Sequence, residues 1–186
     1  AIFTKLPNWY VRRFKFNKGI IMIVNKAKKI KLIATDIDGV WTDAKMYYSA
    51  EGVLMKSFST YDGMATSLLL KNNFIVVMIT SEWENIAILK SRAKKLNIKE
   101  VYYNEKDKLS RIQYLLEKYN LKMENIAYIG DDVNDLSVLK KVGLSAMPCQ
   151  SPILNSFTPD IITKTKGGEG SFRELADIIL KAQNMI

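Results

Sequence analysis

Short, uninterrupted apolar segments alternate along the chain with longer segments in which apolar residues recur every three or four positions. Apolar segments of this kind are typical of strands that are covered on both faces. They lie at Lys31–Thr35, Phe74–Thr80, Glu100–Tyr103, Asn125–Ile129, Leu144–Met147 and Asp160–Thr163. Helical periodicity covers Gly63–Asn72, Glu84–Leu96, Lys108–Tyr119, Asp135–Val142 and Ser171–Gln183. This alternation predicts an α/β fold with a doubly wound, Rossmann-like and mainly parallel sheet.

One region departs from the alternation. Two strand-prone segments, Lys45–Tyr48 and Val53–Phe58, flank a turn that contains Gly52, and this pattern predicts a β-hairpin inserted after the first strand. Because its Tyr48 and Met55 would otherwise face water, we expect the hairpin to pack against a neighbouring subunit.

Basic charge is concentrated at the beginning of the chain. The sequence has 28 Lys and Arg against 19 Asp and Glu, yet residues 1–32 hold nine of the basic residues and no acidic one. The remaining residues are therefore balanced in charge. We expect residues 1–29 to form a solvated basic arm and residues 30–186 to form the folded domain. The alternative for the arm is an electrostatic tether to nucleic acid or anionic lipid.

Composition excludes several kinds of chemistry. The chain has no histidine, so catalysis must depend on carboxylates, hydroxyls, lysines or a bound cation. Its single cysteine, Cys149, cannot form an internal disulfide, which fits a reducing compartment. No apolar segment approaches the ~20 residues that a spanning helix needs. We therefore expect a cytoplasmic protein that acts on neither membranes nor nucleic acid.

Acidic residues follow two of the predicted strands. One group is Asp36–Gly39 and the other is Gly130–Asp135. Ligands of a doubly wound sheet bind at the carboxyl ends of its strands, where these carboxylates would repel one another. A hard divalent cation relieves that repulsion, and Mg²⁺ suits a site made of oxygen ligands. We expect Asp36, Asp38 and Asp131 to be metal ligands, with Asp132 and Asp135 in support.

Two further strand ends add a hydroxyl and a positive charge to the same edge, and the combination predicts phosphoryl transfer. Asp36 would attack phosphorus and form an aspartyl-phosphate. Asp38 would protonate the leaving oxygen and later deprotonate water. Thr80 and Lys108 would hold the phosphoryl oxygens.

These residues resemble the four motifs of the haloacid dehalogenase superfamily, and the resemblance extends from about residue 31 to residue 180. The motifs are DIDGVWTD (Asp36–Asp43), the strand end at Thr80, Lys108 and GDDVND (Gly130–Asp135). An aspartate two residues after the first, as Asp38 is here, is what phosphatases of the superfamily carry. The segments between the motifs leave no room for a cap domain.

A capless chain with an early hairpin and the segment GGEGSFRE (Gly167–Glu174) resembles one group of that superfamily. The group contains the phosphatases of 3-deoxy-D-manno-octulosonate 8-phosphate and of nonulosonate 9-phosphates such as N-acylneuraminate 9-phosphate. The resemblance implies Mg²⁺, a homotetramer joined through the hairpins, and a neighbour that helps cover each active site. It also implies a place in sialic acid or lipopolysaccharide biosynthesis.

The substrate expectation depends on the residues after Thr80. The octulosonate enzymes usually carry Gly-Arg there, whereas Ser81-Glu82 is more similar to the nonulosonate type. We therefore expect a nonulosonate 9-phosphate, with octulosonate 8-phosphate as the alternative. Glu82 and Arg92 have the alternative role of ordinary helix charges, and Arg173 is expected to reach an active site from a mobile tail. The predicted substrate-binding residues are Thr42, Ser81, Glu82, Arg92 and Arg173.

Two rival functions belong to other classes. One is a non-catalytic assembly module, since similar domains are fused to sugar-activating cytidylyltransferases. The other is a phospho-receiver domain, which also gathers aspartates and a lysine at strand ends. Asp38 and the hairpin argue against the receiver, and the intact set of charged residues argues against the module.

Overall fold

A computed structural model of the chain describes residues 19–84 and 86–186. The strands are β1 Leu32–Thr35, β2 Tyr47–Ser49, β3 Gly52–Met55, β4 Ile75–Ile79, β5 Glu100–Tyr102, β6 Ile126–Ile129, β7 Leu144–Met147 and β8 Ile161–Ile162. The helices are α1 at 19–27, α2 Thr60–Lys71, α3 Ile86–Lys95, α4 Lys108–Tyr119, α5 Leu136–Leu139 and α6 Ser171–Ala182.

The central sheet has six strands in the order β5-β4-β1-β6-β7-β8, and every neighbouring pair is parallel. Alternate residues of β1 face opposite sides of this sheet. Ile33 packs in a core with α1, α2, α3 and α6, whereas Leu32 and Ala34 pack in a second core with α4 and α5. Burial on both faces explains the uninterrupted apolar segments of the sequence. The predicted doubly wound α/β fold is confirmed.

The predicted hairpin is also present. Strands β2 and β3 pair in antiparallel fashion and form a separate two-stranded sheet. Several of its large apolar side chains are exposed, namely Tyr47, Tyr48, Leu54 and Met55. Packing of this surface against a neighbouring subunit stays a prediction.

Residues 19–29 differ from the solvated arm that the sequence predicts. Helix α1 buries Ala27 completely, in the core that also contains residues of α2, α3 and α6. The Gln183 side chain donates hydrogen bonds to the carbonyl oxygens of Ala27 and Ile30 at 3.0 and 2.9 Å, and Lys26 pairs with Asp160 at 2.5 Å. The arm and its possible tether function stay predictions for residues 1–18, which lie outside the described residues.

The glycine-rich segment Gly167–Ser171 packs against the loop that follows β1. The Gly168 N–H donates to the Val40 carbonyl at 3.0 Å. The Gln150 side chain joins the two segments, since it donates to the Gly39 carbonyl at 3.0 Å and accepts from the Gly167 N–H at 3.0 Å. A Cβ at Gly167 would lie 1.9 Å from the Gly39 oxygen, so only glycine allows this approach. The described helices include none that is long and apolar enough to cross a membrane.

Helix α2 carries a buried acid whose charge is poorly stabilised. Asp62 is completely buried, and its Oδ1 accepts a hydrogen bond from the Arg173 N–H at 2.9 Å. Its Oδ2 has no hydrogen-bond partner among the described residues. Burial raises the pKa of Asp62 to about 6 from an ordinary value of 3.8, although Arg173 and Arg92 act in the opposite direction.

Replacing Asp62 with Asn is expected to stabilise the protein progressively, relative to wild type, as the pH rises. The wild-type pKa is about 6 in the folded state and 3.8 in the ordinary, unfolded environment. The unfolded chain therefore loses its proton first, and stability falls as the pH rises through that interval. At about 1.4 kcal/mol per pKa unit, the difference in free energy of unfolding should grow by about 3 kcal/mol.

Urea unfolding of both proteins at a series of pH values measures this difference. Asn does not titrate, and its side-chain oxygen still accepts from the Arg173 N–H, so the pH dependence isolates the buried charge. A difference that stays constant across the interval would contradict the prediction.

Candidate active site

A cavity of about 240 Å³ lies at the carboxyl ends of the central strands. Asp36 directly follows β1, and its N–H donates to the Ile129 carbonyl of β6 at 3.0 Å. Thr80 directly follows β4, and its N–H donates to the Tyr102 carbonyl of β5 at 2.9 Å. The hydrogen bonding of the sheet thus extends into both residues and fixes their backbones. The cavity is lined by Asp36, Asp38, Met46, Thr80, Ser81, Glu82, Trp83, Lys106 and Asn134.

Three buried carboxylates meet beside this cavity. Asp36, Asp131 and Asp135 each offer an oxygen that lies within 4.8 Å of the others. Gly39 allows the approach, because its φ is +87° and a Cβ there would lie 1.9 Å from Asp131 Oδ2. These hard oxygen donors fit the ligand preference of Mg²⁺.

Lys108 lies between two of these carboxylates. Its side chain is 0% exposed, and Nζ lies 2.8 Å from Asp36 Oδ1 and 2.7 Å from Asp135 Oδ1. Burial opposes the charged form of the lysine, but the facing carboxylates of Asp36 and Asp135 outweigh it and raise the Lys108 pKa. One ammonium therefore neutralises only part of the negative charge that collects here.

The pKa values of the acids reflect the uncompensated charge. Burial, followed by repulsion from Asp135, raises the pKa of Asp36 well above its ordinary value. The same two causes raise the pKa of Asp131 to about 7. A divalent cation among these oxygens would favour their ionised forms.

Asp135 has a larger part in this cluster than the sequence predicts. Its Oδ1 accepts from the Tyr128 hydroxyl at 2.5 Å, and its Oδ2 accepts from the Asp131 N–H at 2.9 Å. Asp132 instead accepts from the Val133 N–H at 2.7 Å and caps the short 3-10 helix Val133–Asp135. Capping is the alternative that the sequence offers for an acid at this position.

The Asp38 side chain contacts a lysine, and its predicted role as a metal ligand stays a prediction. Its side chain is 23% exposed, and both of its oxygens lie 2.8 Å from Lys56 Nζ. The carboxylate is therefore outside the cluster that Asp36, Asp131 and Asp135 form. Sequence reasoning missed Lys56, because a lysine next to an exposed hairpin is ordinarily solvated.

Glu82 lines the cavity and also stabilises its own turn. Its Oε1 accepts from the Trp83 and Glu84 N–H groups at 2.9 Å each, and its Oε2 lies 3.4 Å from Lys56 Nζ. The Glu82 N–H donates to Thr80 Oγ1 at 3.0 Å. The predicted substrate contact and the alternative of a helix-start charge are both compatible with this position.

Ser81 lines the cavity, whereas Thr42 is completely buried. The Ser81 hydroxyl donates to the Glu105 carbonyl at 3.0 Å. Thr42 Oγ1 accepts from the Ala44 N–H at 3.3 Å and lies 3.4 Å from Asp38 Oδ1. Thr42 thus shapes the loop that carries Asp38.

The two predicted arginines lie outside the cavity within one chain. Arg92 Nη2 donates to the Ser59 carbonyl at 2.9 Å, and Arg173 Nε donates to Asp177 Oδ1 at 2.7 Å. Neither lines the cavity that contains Asp36. Their substrate roles stay predictions.

Fold and site together define a hydrolase of one family. The haloacid dehalogenase-like hydrolase family matches residues 18–168, and the chain belongs to it. The 3-deoxy-D-manno-octulosonate 8-phosphate phosphatases of Salmonella typhi and Escherichia coli K12 are 34% identical to it over 164 residues, which are 88% of this chain and 86% of each relative.

Solved structures lead to the same family. The phosphatase of that name from Yersinia pestis superimposes with a TM-score of 0.83 at 34% identity, covering 88% of both chains. The Moraxella catarrhalis enzyme, solved with magnesium, phosphate and KDO, has a TM-score of 0.82 at 35% identity, covering 87% of this chain and 92% of its own. The predicted class, a capless phosphoric monoester hydrolase that uses Mg²⁺, is confirmed. These relatives are phosphatases rather than receiver domains or assembly modules.

Proposed function

We propose that this chain hydrolyses the phosphate monoester of a 2-keto-3-deoxy sugar acid through an aspartyl-phosphate. The observation that carries the proposal is the buried Asp36 carboxylate, which borders the cavity and is paired with Lys108 at 2.8 Å. A carboxylate oxygen placed in this way is a nucleophile whose orientation is already fixed.

Each residue has a separate part in the reaction. An Asp36 oxygen bonds to phosphorus while the ester oxygen–phosphorus bond breaks, and the departing alcohol oxygen takes a proton from Asp38. Asp38 then accepts a proton from the water that hydrolyses the aspartyl-phosphate. Thr80, which lines the cavity, holds phosphoryl oxygens. Lys108 lies enclosed behind Asp36 and keeps the nucleophilic carboxylate oriented. Asp36, Asp131 and Asp135 would hold Mg²⁺, and the bound cation would supply charge neutralisation for the phosphoryl group.

Two sugar acids are candidates for the substrate. A nonulosonate 9-phosphate is favoured by Glu82, which lines the cavity where octulosonate enzymes usually carry arginine. A carboxylate there accepts from hydroxyls, whereas arginine pairs with a substrate carboxylate. Octulosonate 8-phosphate is favoured by the names of the relatives, which are 34% identical.

The assembly and cellular place follow from the same proposal. We include a homotetramer joined through the hairpin, which is supported by the exposed Tyr48, Leu54 and Met55. We also propose that the protein is cytoplasmic and that it catalyses a step in sialic acid or lipopolysaccharide biosynthesis.

Phosphate release from the 8-phosphate and the 9-phosphate, measured side by side with Mg²⁺, tests the substrate. We expect kcat/KM for the nonulosonate 9-phosphate to be at least about tenfold higher, because a misplaced or unpaired polar contact costs about 1–3 kcal/mol. A preference for octulosonate 8-phosphate would select the second candidate. Absence of release from both sugar acids would contradict the proposed substrate class.

A further inference from the structure

Lys56 is a buried cation to which the mechanism gives no part. It follows β3 directly, its side chain is 2% exposed, and its Nζ lies between the carboxylates of Asp38 and Glu82. The two Asp38 oxygens are both at 2.8 Å, whereas Glu82 Oε2 is at 3.4 Å. An ammonium is buried in this way only where charged partners compensate for its lost hydration.

We propose that Lys56 is a positioning residue that holds the Asp38 carboxyl group towards the cavity, with Glu82 as the second anchor of the lysine. The proposal rests on the proposed function, because it concerns the proton donor of that reaction. Asp38 is 23% exposed and contacts the Thr42 hydroxyl only at 3.4 Å. The lysine therefore makes the shortest contacts that restrain its side chain among the described residues.

The same contact orients the carboxyl group as well as locating it, because Lys56 Nζ lies 2.8 Å from both Asp38 oxygens. Small displacements of a catalytic group are costly, since a shift of about 1 Å can slow a reaction about 10²-fold.

A direct role of Lys56 in substrate binding does not fit its surroundings. Its side chain is almost fully enclosed, and Lys56 is not among the residues that line the cavity. Lys106 does line it and is the better placed of the two cations for a substrate. A purely structural role, in which Lys56 only attaches the hairpin to the domain, is the alternative that the experiment must separate.

The positioning role and the purely structural role of Lys56 can be distinguished by changing the leaving group of the substrate. An alkyl phosphate needs a proton on its departing oxygen, whereas 4-nitrophenyl phosphate releases a stable phenolate without one. The parameter kcat/KM reports the steps up to departure of the leaving group, so it is independent of the later hydrolysis. Loss of an oriented acid should therefore reduce kcat/KM for the sugar-acid phosphate selectively.

Lys56→Met is the test variant, since methionine has a similar length and no charge. We expect kcat/KM to fall about 100-fold with the sugar-acid phosphate and less than about threefold with 4-nitrophenyl phosphate. Lys56→Arg, which keeps the cation, should recover most of the loss. Lys71→Met, at an exposed position on α2, is the matched control and should be unchanged with both substrates.

Each other outcome overturns a defined part of the inference. If Lys56→Met loses the same factor with both substrates, or loses nothing, the positioning role is wrong while the proposed function stands. If the wild-type protein releases phosphate from neither substrate, the proposed function fails and the role of Lys56 fails with it.

Discussion

Replacing Asp36 with Asn is expected to lower phosphate release by at least about 10⁴-fold while the fold is retained. The amide has nearly the same shape as the carboxyl group, but it cannot form the aspartyl-phosphate. Folding should be preserved or improved, because the wild-type carboxyl is buried close to Asp131 and Asp135 and its pKa is raised accordingly.

The matched control is Asp43→Asn, which changes an exposed acid of the same loop. Asp43 pairs at the surface with Lys45 at 3.0 Å, so we expect wild-type activity. Phosphate release is measured with saturating Mg²⁺, and circular dichroism with thermal unfolding reports the fold. Normal phosphatase activity of Asp36→Asn would contradict the aspartyl-phosphate mechanism.

Replacing Lys108 with Met is expected to destabilise the protein by about 3–5 kcal/mol and to remove its activity. The ammonium is completely buried and contacts Asp36 and Asp135 at 2.8 and 2.7 Å. Without it, neighbouring carboxylates would remain in the interior with no cation among the described side chains to compensate them. Urea unfolding at neutral pH without added metal measures the loss.

Two further variants identify the source of that loss. Lys118→Met removes a more exposed ion pair with Glu100 and should cost much less stability than Lys108→Met, because solvent screens the exposed lysine. Adding Asp36→Asn to Lys108→Met removes one of the uncompensated carboxylates and should recover part of the stability. A double variant that is as unstable as Lys108→Met alone would show that the loss comes from packing instead of charge.

Elements that depend on local sequence were predictable. The strands of the central sheet are short and apolar on both faces, and the hairpin combines strand-forming segments with a glycine turn. The ends of the helices were harder to predict from the sequence. Helix α2 begins at Thr60, with Ser59 as its cap. The sequence placed its start three residues later, at Gly63, because the first turn carries few apolar residues. Helix α1 was missed because its apolar residues, 20–24, are consecutive and show no helical periodicity.

The composition of the site was only partly predictable. Strand ends brought Asp36, Asp131 and Thr80 to one edge, as the topology requires. The central position of Asp135 in the carboxylate cluster could not be predicted, because it depends on the direction of individual side chains. The partner of Asp38 is Lys56, which is 18 residues away in sequence. No local pattern encodes such a contact.

The attachment of Gly167–Ser171 to the loop after β1 has a consequence for biosynthesis. The Ser171 hydroxyl donates to the Val40 carbonyl across 131 residues of sequence, at 3.0 Å. Chains emerge from the ribosome beginning with their N-terminal part, at about 5–20 residues per second. A nascent polypeptide would therefore expose its nucleophile loop for several seconds without this support, and the loop gains it only after Ser171 has been translated.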